Sequence, residues 1–201
     1  MDSTLAVILT PATAMELEKN LTALKPLLEG IDHKVVAVMG IISTEDYNWM
    51  IEVPELIFAE VPSDLPEKNK RSIGACLIPS NTKNILFVDS VDTLVSETIK
   101  KHNDFFIEPL IGAVGNKGRG FEEFEHKKLL HSTITKFNLD EETFKKRCCD
   151  EKGKINYITS NYFMTSVAVW ELVGGFNLKV DFPYVEYCIR LQALGYTILP
   201  F

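Results

Sequence analysis

Long apolar runs are missing from this chain. Across its 201 residues no stretch approaches the roughly 20 consecutive apolar residues that a membrane-spanning helix needs. The opening Met1-Asp2-Ser3-Thr4 lacks the basic start of a secretion signal. An excess of basic residues is missing as well, since 21 Lys and Arg face 28 Asp and Glu. The net charge of −7 argues against a broad nucleic-acid or anionic-membrane surface and leaves room only for a local basic site. Cysteine is scarce, with four residues, and no Cys/His spacing matches a zinc site. Cys148 and Cys149 are adjacent, and adjacent cysteines rarely pair. Cys76 and Cys188 have apolar neighbours and are expected to pack as small hydrophobes. Internal repeats and low-complexity linkers are absent. The expectation is a cytoplasmic protein forming one domain over residues 1–201, long enough to bury a substantial core.

What is present is an alternation of short apolar runs and amphipathic stretches. Residues 5–10 are continuously apolar up to Thr10, as a strand buried on both faces would be. Thr13 and Glu16 have capping-box spacing, so a helix should begin there. Leu17, Leu21, Leu24 and Leu28 give that helix one apolar face, and Pro26 is expected to kink or shorten it. Residues 34–39, 55–59 and 84–88 read as further strands, with a helix over about 66–78. Later strands are expected at 105–113, 155–159 and 196–200, and helices at about 165–172 and 184–194. The charged stretch 121–150 reads as two helices. Such alternation implies a mainly parallel sheet covered by helices on both sides. Ligands of such sheets bind at the carboxyl ends of strands, near a switch in strand order. Thr10, Pro11 and Asp89 all fall at such ends.

Two segments carry a family resemblance. The first is Gly174-Gly175-Phe176-Asn177, followed by a helix through Glu186, Tyr187, Arg190 and Leu194 to Gly195-Tyr196. The second is Asn84-Ile85-Leu86-Phe87-Val88-Asp89-Ser90-Val91-Asp92. Together they resemble the closing segment and the DxD strand of family 2 glycosyltransferases. That resemblance implies the GT-A fold: an α/β three-layer sandwich with a central mixed, mainly parallel sheet. It also implies transfer of a sugar from a nucleotide-sugar donor to an acceptor hydroxyl, with Mn²⁺ or Mg²⁺ under the donor diphosphate.

By that resemblance Asp89 matches the first acid of DxD, Val91 replaces the second, and Asp92 lies one position late. Asp89 and Asp92 are therefore the candidate metal ligands, although Asp92 equally suits the cap of a helix over 93–100. Thr10, Pro11, Lys70, Arg71 and Asp89 are the candidate donor-binding residues. Lys70 and Arg71 fall where the family has an Arg-Asn pair, and a solvated basic face is the plainer reading. The base-contacting acid that usually ends the second strand is replaced by Met39-Gly40-Ile41-Ile42-Ser43, with Glu45 and Asp46 further on. The family's Glu-Asp pair, whose Asp deprotonates the acceptor, is replaced by Pro183 and Tyr184. Asp181 and Glu186 are the carboxylates left as candidate bases. An acidic first helical turn explains Glu186 as well.

Three further features have plain readings beside functional ones. Gly115-Asn116-Lys117-Gly118-Arg119-Gly120 suits either a phosphate-wrapping loop or a surface loop. His126 and His131 lack a third ligand and read as solvated. Trp170 and Phe176 read as packing residues, with an aromatic platform for an acceptor sugar as the alternative. In the family, acceptor-side structure follows this segment, so a third option is a donor-binding module that is a fragment or that borrows those parts from an oligomer or partner chain. The replaced acids leave a second class of function open, a GT-A scaffold that binds a nucleotide, glycan or protein without turnover.

Overall fold

The computed structural model describes residues 4–89, 91, 94–106, 108, 110–118, 139–149 and 155–201. The strands are β1 Thr4–Leu9, β2 His33–Met39, β3 Leu56–Glu60, β4 Thr82–Val88, β5 Ile111–Lys117, β6 Ile158–Ser166 and β7 Thr197–Pro200. The helices are α1 Ala14–Leu27, α2 Thr44–Met50, α3 Glu67–Cys76, α4 Ser96–Phe105, α5 Glu141–Cys148, α6 Val167–Val173 and α7 Pro183–Ala193. The strands form one sheet in the order β3-β2-β1-β4-β6-β5-β7. β6 runs antiparallel to β4 and β5, while the other pairings are parallel. The expected central, mixed, mainly parallel sheet is therefore present.

The sheet is buried on both faces because its strands alternate between two apolar cores. Leu5, Val7 and Leu9 face one side with Leu17 and Leu24 of α1, Leu28 just past its end and Ile99 of α4. Ile8, Ile85 and Phe87 face the other, with Ala75, Trp170, Phe176, Tyr187 and Leu191. This period of two produces helix–sheet–helix layering. Gly74 lets α3 lie close to β1, since a Cβ there would stand 2.7 Å from Ile8 Cγ2. α1 starts as its sequence demands: Thr13 Oγ1 accepts from the Glu16 amide at 3.2 Å, and the Glu16 carboxylate accepts from the Ala12 amide at 2.7 Å. Pro26 falls in the last turn, where the helix ends.

Several elements differ from expectation. α2 appears where no helix was expected; Ser43 caps it, accepting from the Asp46 amide at 3.0 Å. β5 is shifted to 111–117, so the first part of the expected glycine-rich loop is strand. Gly115 serves packing there, because a Cβ would lie 2.2 Å from the Tyr162 carbonyl oxygen. β6 covers 158–166 rather than 155–159. Residues 119–138, with His126 and His131, lie outside the described residues. Trp170 and Phe176 are buried in an aromatic cluster, as packing residues should be. Cys188 is buried, but Cys76 is exposed at the end of α3 and does not pack as expected. Among the described residues no helix is long and apolar enough to cross a membrane.

Candidate functional site

Strand order reverses beside β1. The chain leaves β1 outward to β2 and β3, then returns to place β4 on the other side. The carboxyl ends of β1 and β4 therefore border a crevice. Their parallel register pairs Ile8 with Phe87, so Thr10 and Asp89, two residues on, sit level on one rim. Pro11 follows Thr10 on that rim and is buried.

α3 points its first turns at the same rim. Arg71, only 2% exposed, places one guanidinium nitrogen, Nη2, against both Glu67 Oε1 and Asp89 Oδ1. Its Nη1 donates to the Tyr184 hydroxyl, and its guanidinium carbon lies 5.3 Å from the Tyr184 ring centroid. Burial lowers the Arg71 pKa, and the neighbouring Glu67 carboxylate works against that shift. The Thr10 hydroxyl approaches Glu67 Oε1 at 3.4 Å. One buried cation thus joins the end of β4, the start of α3 and the start of α7.

Beside this cation lies a pocket of about 470 Å³, lined by Glu67, Lys68, Arg71, Thr159, Asp181 and Tyr184 among others. Asp181 reaches it from the loop before α7 and is exposed. Lys68 ties that loop to α3 by donating to the Val180 carbonyl at 2.7 Å.

The expected site residues do not all come together. Thr10, Pro11, Arg71 and Asp89 come together on the rim, with Asp181 at the adjoining pocket. Lys70 does not join Arg71's network; its ammonium donates to the Ser63 carbonyl at 3.3 Å. Glu186 is a correction. It is 6% exposed and is locked to Arg190 of its own helix, with Arg190 Nε 2.9 Å and Nη2 2.7 Å from Glu186 Oε2. The same guanidinium donates to the Val173 and Gly175 carbonyls at 2.5 and 2.6 Å. Glu186 therefore neutralises the arginine that clamps the Gly-Gly turn and does not line the pocket that Asp181 reaches. Asp92 lies outside the described residues. Sequence reading missed Glu67, Lys68 and the hydroxyl contact of Tyr184. The i, i+4 spacing of Glu67 and Arg71 was the available signal for the first.

Val91, in place of the second acid, is buried at 3% exposure, and Asp89 already holds a guanidinium. Among the described residues no group of three or more His, Cys, Asp or Glu side chains could hold a metal ion. The described rim by itself does not fit the expected metal site.

No family model and no curated protein matches the chain. Solved structures do. A mannosyltransferase from Pyrobaculum calidifontis, in complex with GDP-Man and Mn²⁺, superposes with a TM-score of 0.68 at 14% identity, over 100% of this chain and 55% of that one. The chain has the GT-A fold. Glucosyl-3-phosphoglycerate synthase from Mycobacterium tuberculosis, in complex with UDP, gives a TM-score of 0.53 at 13% identity, over 98% of this chain and 70% of that one. A 4-diphosphocytidyl-2C-methyl-D-erythritol synthase from Anaerococcus prevotii gives 0.53 at 11% identity, over 100% and 88%. At these identities the likeness is one of fold, and the chain spans about half the length of the mannosyltransferase.

Proposed function

We propose that this GT-A domain binds a nucleotide-sugar donor in the crevice between β1 and β4 and transfers its sugar to an acceptor hydroxyl in the adjoining pocket. The observation that carries this reading is the convergence of Thr10, Arg71 and Asp89 on the switch-point rim, beside a pocket reached by Asp181. Arg71 is the cation available to the donor diphosphate. Asp181 is the general base, an exposed carboxylate with room for a hydroxyl beside it. The GDP-Man and UDP of the two transferase structures support the choice of donor class.

A second reading, binding without turnover, is favoured by one observation. Pro183 and Tyr184 stand where the resemblance expects the acidic pair, and the Tyr184 hydroxyl is taken by Arg71. Nucleotide release from a panel of nucleotide sugars, each with an acceptor panel, separates the two. Turnover that falls by about 10²–10⁴ in Asp181→Asn, with donor affinity retained, supports transfer with Asp181 as base. Donor binding with no release in the wild type supports the binding module.

A further inference from the structure

We infer that Arg71 is a resident cation for the diphosphate, that Glu67 competes for it, and that donor binding needs no divalent metal. This rests on the nucleotide-sugar reading above and concerns how the same site meets the donor's charge.

Two carboxylates from different elements converge on a single atom. Glu67 Oε1 from the first turn of α3 and Asp89 Oδ1 from the end of β4 both contact Arg71 Nη2. A point flanked by two carboxylates is where a hard cation would sit. Here a protein cation fills it, anchored on its other side by the Tyr184 hydroxyl and ring. A metal binding Asp89 through Oδ1 would have to displace a side chain that is 2% exposed. That displacement would leave the buried guanidinium with only the more exposed Glu67 carboxylate to compensate it, which is costly.

The two carboxylates are not equivalent. The Glu67 side chain is 58% exposed and that of Asp89 27%. Water therefore takes up a released Glu67 more cheaply than a released Asp89. Glu67, Arg71 and Asp89 together carry one net negative charge, which opposes an incoming anion. A diphosphate that displaces Glu67 from Arg71 removes this obstacle, because Glu67 then swings into solvent while Asp89 keeps the guanidinium in place. The Thr10 hydroxyl, on the rim the donor would occupy, donates to the same Glu67 oxygen at only 3.4 Å, a long contact that gives up little when Glu67 leaves. The other two cations of the α3 start are committed to backbone carbonyls, Lys68 to Val180 and Lys70 to Ser63. Arg71 is thus the cation of this helix that the departure of Glu67 would uncover.

Calorimetry with GDP and UDP as probes tests this, in excess EDTA and in Mn²⁺, on the wild type and on Glu67→Gln. The expected result is binding of at least one probe in EDTA, within about twofold of its affinity in Mn²⁺. Glu67→Gln, which keeps the shape and removes the competing charge, should bind about two- to fivefold more tightly, the range a partly exposed ion pair allows. Binding that appears only with Mn²⁺, or that is lost in Glu67→Gln, would overturn the inference and make Glu67 a metal ligand, leaving the nucleotide-sugar reading intact. Binding of neither probe nor of any nucleotide sugar under either condition would overturn both.

Discussion

Replacing Arg190 by Met should destabilise the protein severely, and the size of the effect decides what Glu186 is for. Arg190 is 4% exposed and Glu186 6%. The substitution leaves Glu186 as a buried carboxylate without its cation and removes the donors to the Val173 and Gly175 carbonyls. Breaking a buried pair from one side costs about 3–5 kcal/mol. For a chain of this size that corresponds to a fall of roughly 6–20 °C in Tm. Glu186→Gln keeps an acceptor and loses the charge, so it should cost less, about 1.5–3 kcal/mol. The double variant Glu186→Gln/Arg190→Met should cost less than the two single changes summed, since neither charge is then stranded. Urea unfolding followed by circular dichroism reads all three, with midpoints shifting and slopes unchanged. An Arg190→Met cost under about 1 kcal/mol would refute the clamp. So would a Glu186→Gln protein with native stability but greatly reduced turnover, because that pattern belongs to a base.

Gly115→Ala should cost at least about 2 kcal/mol, since its Cβ would lie 2.2 Å from the Tyr162 carbonyl and 2.3 Å from Ile158 Cγ2, and a strand cannot shift alone to relieve both; an unchanged denaturation midpoint would contradict it. His102 sits beside Tyr162 and Phe201, and burial, with a smaller contribution from Lys101, pushes its pKa down to about 4. The unfolded chain therefore binds this proton more readily, so stability should be lost as pH falls from about 6.5 to about 4, by at most about 3 kcal/mol. His102→Gln should flatten that part of the stability–pH curve, and equal slopes in the two proteins would argue against a buried neutral imidazole.

Much of the fold was legible because two kinds of local chemistry announce it. The apolar runs at 5–10, 34–39 and 84–88 became β1, β2 and β4 within a residue or two, since a strand buried on both faces has no polar alternation to blur it. The capping pair Thr13 and Glu16 placed α1. The Gly-Gly-Phe turn and its helix were also readable, for a reason that limits what they say about function. Gly174 and Gly175 adopt φ of 83° and 65°, Phe176 fills the aromatic core, and Arg190 clamps the turn. These are folding roles. A motif made of such residues reports the architecture and leaves the chemistry unstated.

β6 and the end of β5 escaped, because both depend on partners far along the chain. Thr159, Asn161 and Thr165 interrupt the apolar pattern of β6, and its pairing with β4 and β5 is what holds it extended. Gly115 made the end of β5 read as loop, whereas glycine is what the close approach of its neighbours requires. The site divides in the same way. Sequence alone placed Thr10, Pro11 and Asp89 at strand ends, since the ends of apolar runs are local facts. It had no means of telling Asp181 from Glu186, two acids five positions apart near the start of one helix. Only the packing of α7 decided that pair, turning Glu186 inward to Arg190 and leaving Asp181 at the pocket. The meeting of Glu67, Arg71, Asp89 and Tyr184 likewise joins residues up to 117 positions apart, and the angle at which α3 and α7 approach the sheet sets it.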